Sequence, residues 1–234
     1  MLKQGGTIGI FTSSYPITAT APDATQRAIT YLEGNGYRIK FGSLTGKREF
    51  YRSGTARERA QEFNELLYDP EVSCLMATIG GMVSNAMLPY IDYDYLAAHP
   101  KIIVGHSDIT ALLLGIYQKT GLITYYGPNL VTTFAQPEPL LSDSLSCLQS
   151  VLSAEQLPYT YALPSVYCPK LPNLITDASG FFEDLAAQGG KNILAIFHAA
   201  AGQRIDVVLL SVHDSILPTL IPHYGSCGDS RRFL

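Results

Sequence analysis

The stretch Lys101-Ile-Ile-Val-Gly-His-Ser-Asp-Ile-Thr110 decides how the chain is interpreted. It begins as the apolar run of a buried strand, passes through Gly105 and Ser107, and continues into apolar residues at helical spacing over 108–120. A turn of this kind, between a strand and a helix, exposes the serine oxygen at the helix N-terminus, where free N–H groups and the helix dipole favour developing negative charge. The pattern predicts Ser107 as a nucleophile.

A simpler interpretation of the same turn stays open. Serine and aspartate are both common first residues of helices, so Ser107 or Asp108 could serve only as a helix cap. The sequence Gly105-His-Ser-Asp-Ile109 also lacks the second glycine of the hydrolase elbow.

The segments around this turn alternate between strand-like and helix-like patterns. Short apolar runs predict five strands, at residues 7–11, 37–41, 72–77, 101–104 and 122–126. Helical periodicity predicts helices at 23–33, from the capping box Thr55-Ala-Arg-Glu58 to about residue 67, at 108–120 and at 139–153. This rhythm predicts a doubly wound α/β domain, which binds ligands beyond the carboxyl ends of its parallel strands.

Paired glycines follow the third predicted strand, in Thr78-Ile-Gly-Gly-Met-Val-Ser-Asn85. Glycines at such a place let the backbone approach a ligand and direct N–H groups at it. We expect one N–H of the Gly80-Gly81 loop and the N–H of Asp108 to form an oxyanion hole. The loop could equally be only a tight turn. It does not form a GxGxxG pattern, which argues against a dinucleotide-dependent enzyme.

A serine nucleophile needs a base and a group that orients the base. Spacing selects no set among the candidates, which are Glu183, His198, His213 and His223. His106 is adjacent to Ser107 in the chain, and neighbouring side chains seldom face each other across a turn. We therefore expect a structural role for His106.

Composition excludes several classes of function. The net charge is −4 without a basic run, which disfavours nucleic acid as a partner. No apolar run approaches the ~20 residues of a membrane span, and the N-terminus lacks the pattern of a signal peptide. The four cysteines form no CxxC pair and are expected to be free thiols. These features predict a cytoplasmic protein without a membrane partner.

Several ordered motifs resemble the LD-carboxypeptidase family of serine peptidases, and most closely its microcin C immunity branch. The resemblance covers residues 5–155 and is carried by Ile8-Gly-Ile-Phe-Thr-Ser-Ser-Tyr-Pro16, Gly42-Ser-Leu-Thr-Gly46, Tyr51-Arg-Ser-Gly-Thr-Ala-Arg-Glu-Arg-Ala60, Thr78-Ile-Gly-Gly81, Leu88-Pro-Tyr-Ile-Asp-Tyr93, Pro100-Lys-Ile-Ile-Val-Gly-His-Ser-Asp-Ile-Thr110 and Tyr126-Gly-Pro128.

The resemblance implies a cytoplasmic hydrolase with a flavodoxin-like N-terminal domain at residues 1–155, homodimeric and independent of metal or cofactor. Ser107 would be its nucleophile, and the backbone of Gly81 and Asp108 its oxyanion hole. Family members act as carboxypeptidases on murein tetrapeptides. The immunity branch cleaves the amide that joins a peptide or aminoacyl group to a nucleotide-like toxin.

The resemblance ends after residue 155. Residues 156–234 are expected to be an atypical, divergent or truncated remnant of the family's C-terminal domain, which carries the glutamate and histidine of the relay. The apolar runs 192–201 and 205–212 cannot be assigned as helix or strand, and the family's Gly-Gly-Asn-Leu segment is missing. The alternative function is therefore that of a catalytically inactive, truncated or frame-shifted member that at most binds such ligands.

Overall fold

The apolar runs of the sequence pair into one parallel sheet. The structure, a computed structural model, describes residues 2–138, 140–152 and 207–209. Its strands are β1 (Thr7–Phe11), β2 (Arg38–Phe41), β3 (Val72–Ala77), β4 (Ile102–Gly105), β5 (Thr124–Tyr126) and β6 (Val207–Leu209). The order is β2-β1-β3-β4-β5-β6, and every pairing is parallel. This confirms the predicted α/β sheet, and its first five strands have the flavodoxin-like order.

Helices cover both faces of the sheet. They are α1 (Ile17–Thr20), α2 (Pro22–Gly34), α3 (Ala56–Tyr68), α4 (Tyr93–Ala98), α5 (Thr110–Thr120), α6 (Leu130–Phe134) and α7 (Leu140–Leu152). One apolar cluster joins the sheet to α2, α6 and α7, and a second joins it to α3, α4 and α5. Ile10 and Phe11 are consecutive in β1 and enter opposite clusters, because side chains alternate between the faces of a strand. Each fully buried apolar side chain of this kind contributes about 1.5–3 kcal/mol.

Two segments are wound more tightly than an α-helix. Residues 86–88 lie in a 3₁₀ helix, Ser84–Tyr90, which contains Pro89. Proline has no N–H to donate, which prevents a regular α-helix at this point. The helix predicted from Asp108 begins as a 3₁₀ turn, Ser107–Ile109, and becomes α-helical only at Thr110. The short helix α6 is absent from the sequence prediction, since five residues are too few to show helical periodicity.

The start of α3 follows the sequence prediction. The Thr55 hydroxyl accepts the N–H of Glu58 at 3.3 Å, and the Glu58 carboxylate accepts the N–H of Thr55 at 2.8 Å. The capping box is therefore complete, and it fixes the first turn of a helix that carries two buried charged side chains described below.

The apolar run 205–212 contains a strand. Val207–Leu209 forms β6, which pairs with β5 from Thr124↔Val207 to Tyr126↔Leu209. The expected domain boundary near residue 155 stays a prediction, because residues 153–206 and 210–234 lie outside the described residues.

The longest described helices, α2, α3 and α7, have 13 residues each. A helix that crosses a bilayer needs about 20. In the part of the chain that the structure describes, no helix has the length and apolar character of a membrane span.

Replacing Thr55 with alanine is expected to lower the free energy of unfolding by about 1 kcal/mol, because an N–H of the first turn loses its acceptor. Urea denaturation measures the loss. Thr55→Ser is the matched control, since it keeps the hydroxyl, and it should stay within about 0.5 kcal/mol of the unchanged protein. Equal losses in both variants would contradict a role for the cap.

Candidate active site

Ser107 stands in a strained turn at the carboxyl end of β4. Its φ is +64°, a left-handed conformation that few residues other than glycine adopt. The side chain is exposed, and no hydrogen bond from another described residue reaches its Oγ. Strain of this kind persists only where the surroundings enforce it, and it is concentrated at functional sites. The turn therefore presents a hydroxyl to solvent in the manner of a nucleophile elbow.

Neighbouring groups hold this turn through its backbone. The buried Asn129 side chain accepts the N–H of His106 at 3.1 Å and donates to the His106 carbonyl at 3.4 Å, as a paired strand would. The Tyr126 hydroxyl accepts the N–H of Ser107 at 3.4 Å, and Thr110 Oγ1 donates to the Ser107 carbonyl at 2.6 Å. These bonds fix the backbone on both sides of Ser107 without using its hydroxyl.

The ring nitrogens of His106 contact Gly127 and Thr132 rather than Ser107. Its Nδ1 lies 3.0 Å from the Gly127 carbonyl, which can only accept, so Nδ1 carries the proton. Its Nε2 lies 3.4 Å from Thr132 Oγ1. Burial lowers the pKa of this imidazole, only partly offset by the bond to Gly127, and favours the neutral form. The two ring nitrogens thus contact the loop after β5 and helix α6, in agreement with the structural role expected from the sequence.

The glycine loop after β3 lies directly against the nucleophile turn. A Cβ added at Gly80 would lie 3.0 Å from Ser107 Cβ, 3.2 Å from its Oγ and 3.2 Å from the N of Asp108. Any larger residue at position 80 would crowd the serine. The glycine is thus needed for close approach of the two backbones.

The carboxylate of Asp108 ties the two turns together. Its Oδ2 accepts the N–H of Val83 at 3.1 Å and the N–H of Ser84 at 2.9 Å. The Ser84 hydroxyl returns a bond of 2.5 Å to the Asp108 carbonyl. Asp108 therefore contributes its side chain to the site, in a role different from the helix cap and the backbone N–H expected from the sequence.

Ser14, in the loop after β1, holds the glycine loop from the other side. Its Oγ accepts the N–H of Met82 at 3.0 Å and of Val83 at 3.2 Å. Gly81 has φ +153°, and a Cβ there would lie 2.6 Å from Ser14 Cβ. The N–H of Tyr15 donates to the Gly80 carbonyl at 3.2 Å. Position 81 must therefore be glycine for this loop to close.

The three site residues predicted from the sequence, Ser107, Gly81 and Asp108, lie at one edge of the sheet. The relay candidates Glu183, His198, His213 and His223 lie outside the described residues. Within those residues there is no group of three or more potential metal ligands.

A buried carboxylate, that of Glu62, holds the loops that follow β1 and β2. Glu62 of α3 is 0% exposed, and it accepts the N–H of Thr12 at 2.6 Å and of Leu44 at 2.8 Å. Burial raises its pKa from 4.5 to about 7, although the two N–H groups partly offset this effect. Sequence periodicity gave no sign of Glu62, because a glutamate on a helix is ordinarily exposed.

Comparison with known proteins identifies the family of the chain. A model of the LD-carboxypeptidase N-terminal domain matches residues 8–127. The chain belongs to the LD-carboxypeptidase family. The matched residues include β1 to β5, the glycine loop and the Ser107 turn.

The relatives include immunity proteins and murein peptidases. The microcin C7 self-immunity protein MccF of Escherichia coli is 52% identical over 164 residues, which are 70% of this chain and 48% of MccF. A murein tetrapeptide carboxypeptidase of Pseudomonas aeruginosa is 29% identical over 143 residues, which are 61% of this chain and 46% of that protein. The chain therefore spans about half the length of these relatives.

A solved structure of MccF in complex with glutamyl sulfamoyl guanosine has the same fold. It superimposes with a TM-score of 0.73 at 43% identity, over 85% of this chain and 58% of the other. The sheet and the loops at its carboxyl edge thus belong to a family architecture.

Replacing Gly81 with alanine is expected to lower the free energy of unfolding by about 2–4 kcal/mol, through the positive φ and the overlap with Ser14. Gly46→Ala is the matched control, because Gly46 also has a positive φ, +75°, but a Cβ there meets nothing within 4 Å. The control should lose only about 1 kcal/mol. Equal losses in urea denaturation would show that the contact with Ser14 contributes nothing.

Glu62 is expected to make stability fall as pH rises from 4.5 to 7. In this window the folded protein retains a proton on Glu62 that the unfolded chain has released, so rising pH favours unfolding. The full shift corresponds to roughly 3 kcal/mol. The difference in unfolding free energy between the unchanged protein and Glu62→Gln, measured at intervals from pH 4 to pH 8, should change across this window. A difference independent of pH would contradict the raised pKa.

Proposed function

We propose that the protein is a serine-type amide hydrolase of the carboxypeptidase kind, with Ser107 as its nucleophile. The observation that carries this proposal is the exposed Ser107 at φ +64°, facing the Gly80-Gly81 loop at the carboxyl edge of the sheet. A helix cap needs no such strain, because capping serines ordinarily adopt extended backbone. The strained turn therefore favours the nucleophile over the simpler interpretation.

The reaction follows from this geometry. Ser107 Oγ attacks the carbonyl carbon of the scissile amide, and its proton passes to a base. The carbonyl oxygen becomes an oxyanion that accepts the N–H of Gly81 and of Asp108. The C–N bond then breaks, the amine leaves with the proton, and water hydrolyses the acyl ester to regenerate Ser107.

The proposal requires a base from another part of the protein. Both nitrogens of His106 are engaged with Gly127 and Thr132, which excludes this histidine. The candidates are Glu183, His198, His213 and His223 of this chain, or groups of a partner chain. Family members complete the relay with a glutamate and a histidine, which favours a Glu183–His pair.

The relatives support a proposal for the substrate class. One is named for a murein tetrapeptide and another for immunity to microcin C7, and a solved MccF structure holds glutamyl sulfamoyl guanosine. These ligands share a peptide or aminoacyl group in amide-type linkage to a polar remainder. We assign murein peptides and aminoacyl- or peptidyl-nucleotide conjugates as the substrates.

A second candidate function is binding without turnover. It is favoured by the end of the resemblance near residue 155, before any residue that matches the relay of the family. In this case the site would hold the same conjugates, and the unreacted ligand would be recovered.

We further propose a cytoplasmic homodimer. Cys74 and Cys147 are buried free thiols, and burial raises their pKa values to about 12 and about 11. Unreactive free thiols suit a reducing compartment. The dimer is carried over from the family resemblance, and sedimentation velocity tests it.

Ser107→Ala should abolish hydrolysis, which otherwise releases D-alanine from a murein tetrapeptide or glutamate from glutamyl sulfamoyl guanosine. Loss of a nucleophile typically lowers kcat by about a millionfold, because only oxyanion-hole and binding contributions remain. Both products are measured by chromatography with the purified chain. Equal rates for Ser107→Ala and the unchanged protein would refute the assignment.

Calorimetric titration with glutamyl sulfamoyl guanosine separates the two candidate functions. If the unchanged protein and Ser107→Ala both bind the ligand, and neither releases glutamate or D-alanine, binding without turnover is favoured. Turnover by the unchanged chain alone, with binding retained in Ser107→Ala, would favour the enzyme.

A further inference from the structure

A buried cation lies beneath the candidate site, and no carboxylate of the described residues is within ion-pair distance of it. Arg59 of α3 is 1% exposed, which makes it the largest fully buried side chain of the described residues. Within the described residues it forms no ion pair, since the three pairs found there involve Lys40 and Arg52. Burial lowers the pKa of its guanidinium, and a buried charge is costly unless hydrogen bonds satisfy it. The buried guanidinium of Arg59 must therefore be stabilised by specific hydrogen bonds.

Three backbone carbonyl groups accept hydrogen bonds from the guanidinium. The single nitrogen Nη1 donates to the carbonyl of Ser13 and, at 3.0 Å, to the carbonyl of Val83. Nε donates to the Gly54 carbonyl at 3.1 Å. One guanidinium thus joins the loop after β1, the segment before α3 and the glycine loop.

Val83 is consequently held at both of its backbone polar groups. Its N–H is shared between Asp108 Oδ2 and Ser14 Oγ, and its carbonyl accepts from Arg59. Ser13 immediately precedes Ser14, so the same nitrogen also fixes the residue whose hydroxyl receives the N–H of Met82. Any displacement of the guanidinium would move both sides of the loop that contains Gly81.

We propose that Arg59 is a positioning residue for the oxyanion hole: by holding Ser13 and Val83 on one nitrogen, it sets the distance between the Gly81 N–H and Ser107. The inference rests on the proposed function. Arg59 does not touch substrate, because it is almost completely buried.

Lysine cannot reproduce this arrangement. The guanidinium is planar and offers several N–H groups in fixed directions, whereas an ammonium is a single point on a shorter reach. Arg59→Lys keeps the positive charge and removes the geometry. Arg59→Gln is the second variant, since it removes the buried charge and so avoids unfolding caused by an unsatisfied cation.

The matched control is Arg57→Lys, the same substitution two positions earlier in α3. Arg57 is exposed and lies 4.5 Å from the centre of the Tyr90 ring, outside the loops of the site. It should change neither the site loops nor the activity.

The experiment has two readouts in the full chain. The first is amide hydrogen exchange of Met82 and Val83 by NMR, which requires no turnover. In Arg59→Lys and Arg59→Gln it should accelerate by about fivefold or more at these two amides, with core amides of β3 unchanged. The second readout is the release of glutamate from glutamyl sulfamoyl guanosine. In both Arg59 variants kcat should fall by about 10- to 100-fold, and KM should change by less than about twofold in either direction.

The outcomes separate this inference from the proposed function. Unchanged exchange at Met82 and Val83, or acceleration spread over the whole domain, overturns the inference. Local acceleration with an unchanged kcat, or a loss confined to KM, also overturns it. If the unchanged protein releases no glutamate or D-alanine, the proposed enzyme fails. Local exchange then still decides whether Arg59 fixes this loop.

Discussion

The hydrogen bonds from the N–H groups of Val83 and Ser84 to the carboxylate of Asp108 are the contact on which the candidate site depends. They join two turns that leave different strands of the sheet, β3 and β4. Hydrogen bonds to an ionised acceptor are roughly twice as strong as neutral ones. Because Asp108 follows Ser107 directly, any movement of the glycine loop is transmitted to the serine.

Side chains bonded to backbone groups hold the loops at this edge, together with backbone bonds such as that from the Tyr15 N–H to the Gly80 carbonyl. Ser14 and Asp108 accept N–H groups of the glycine loop, Arg59 donates to its carbonyl, and Glu62 accepts the N–H of Thr12. Loops on protein surfaces are ordinarily the more mobile parts of a fold. Here two buried polar side chains of α3, Arg59 and Glu62, make the loops part of the framework, and N–H groups stabilise an oxyanion best when they need not reorganise during the reaction.

Local patterns in the sequence were enough to predict the sheet, the capping box and the Ser107 turn, because each depends on residues close together in the chain. The bonds that shape the site join residues far apart: Ser14 and Met82 are 68 positions apart, and Asp108 and Val83 are 25 apart. No periodicity in the sequence reveals such pairs. The same holds for Arg59 and Glu62, whose charges suggest an exposed helix face but lie in the interior. Pro89 is the local signal for the 3₁₀ helix, because proline lacks the N–H that a regular α-helix needs.

The left-handed conformation of Ser107 also bears on how such a protein evolves. A residue with a Cβ at φ +64° costs about 1 kcal/mol or more relative to glycine, so the fold alone would be better served by glycine at this position. Under the proposed function, selection for stability and selection for the hydroxyl therefore act in opposite directions at this position. Among related chains that have lost their chemistry, a glycine at this turn would be the expected trace of the relaxed constraint.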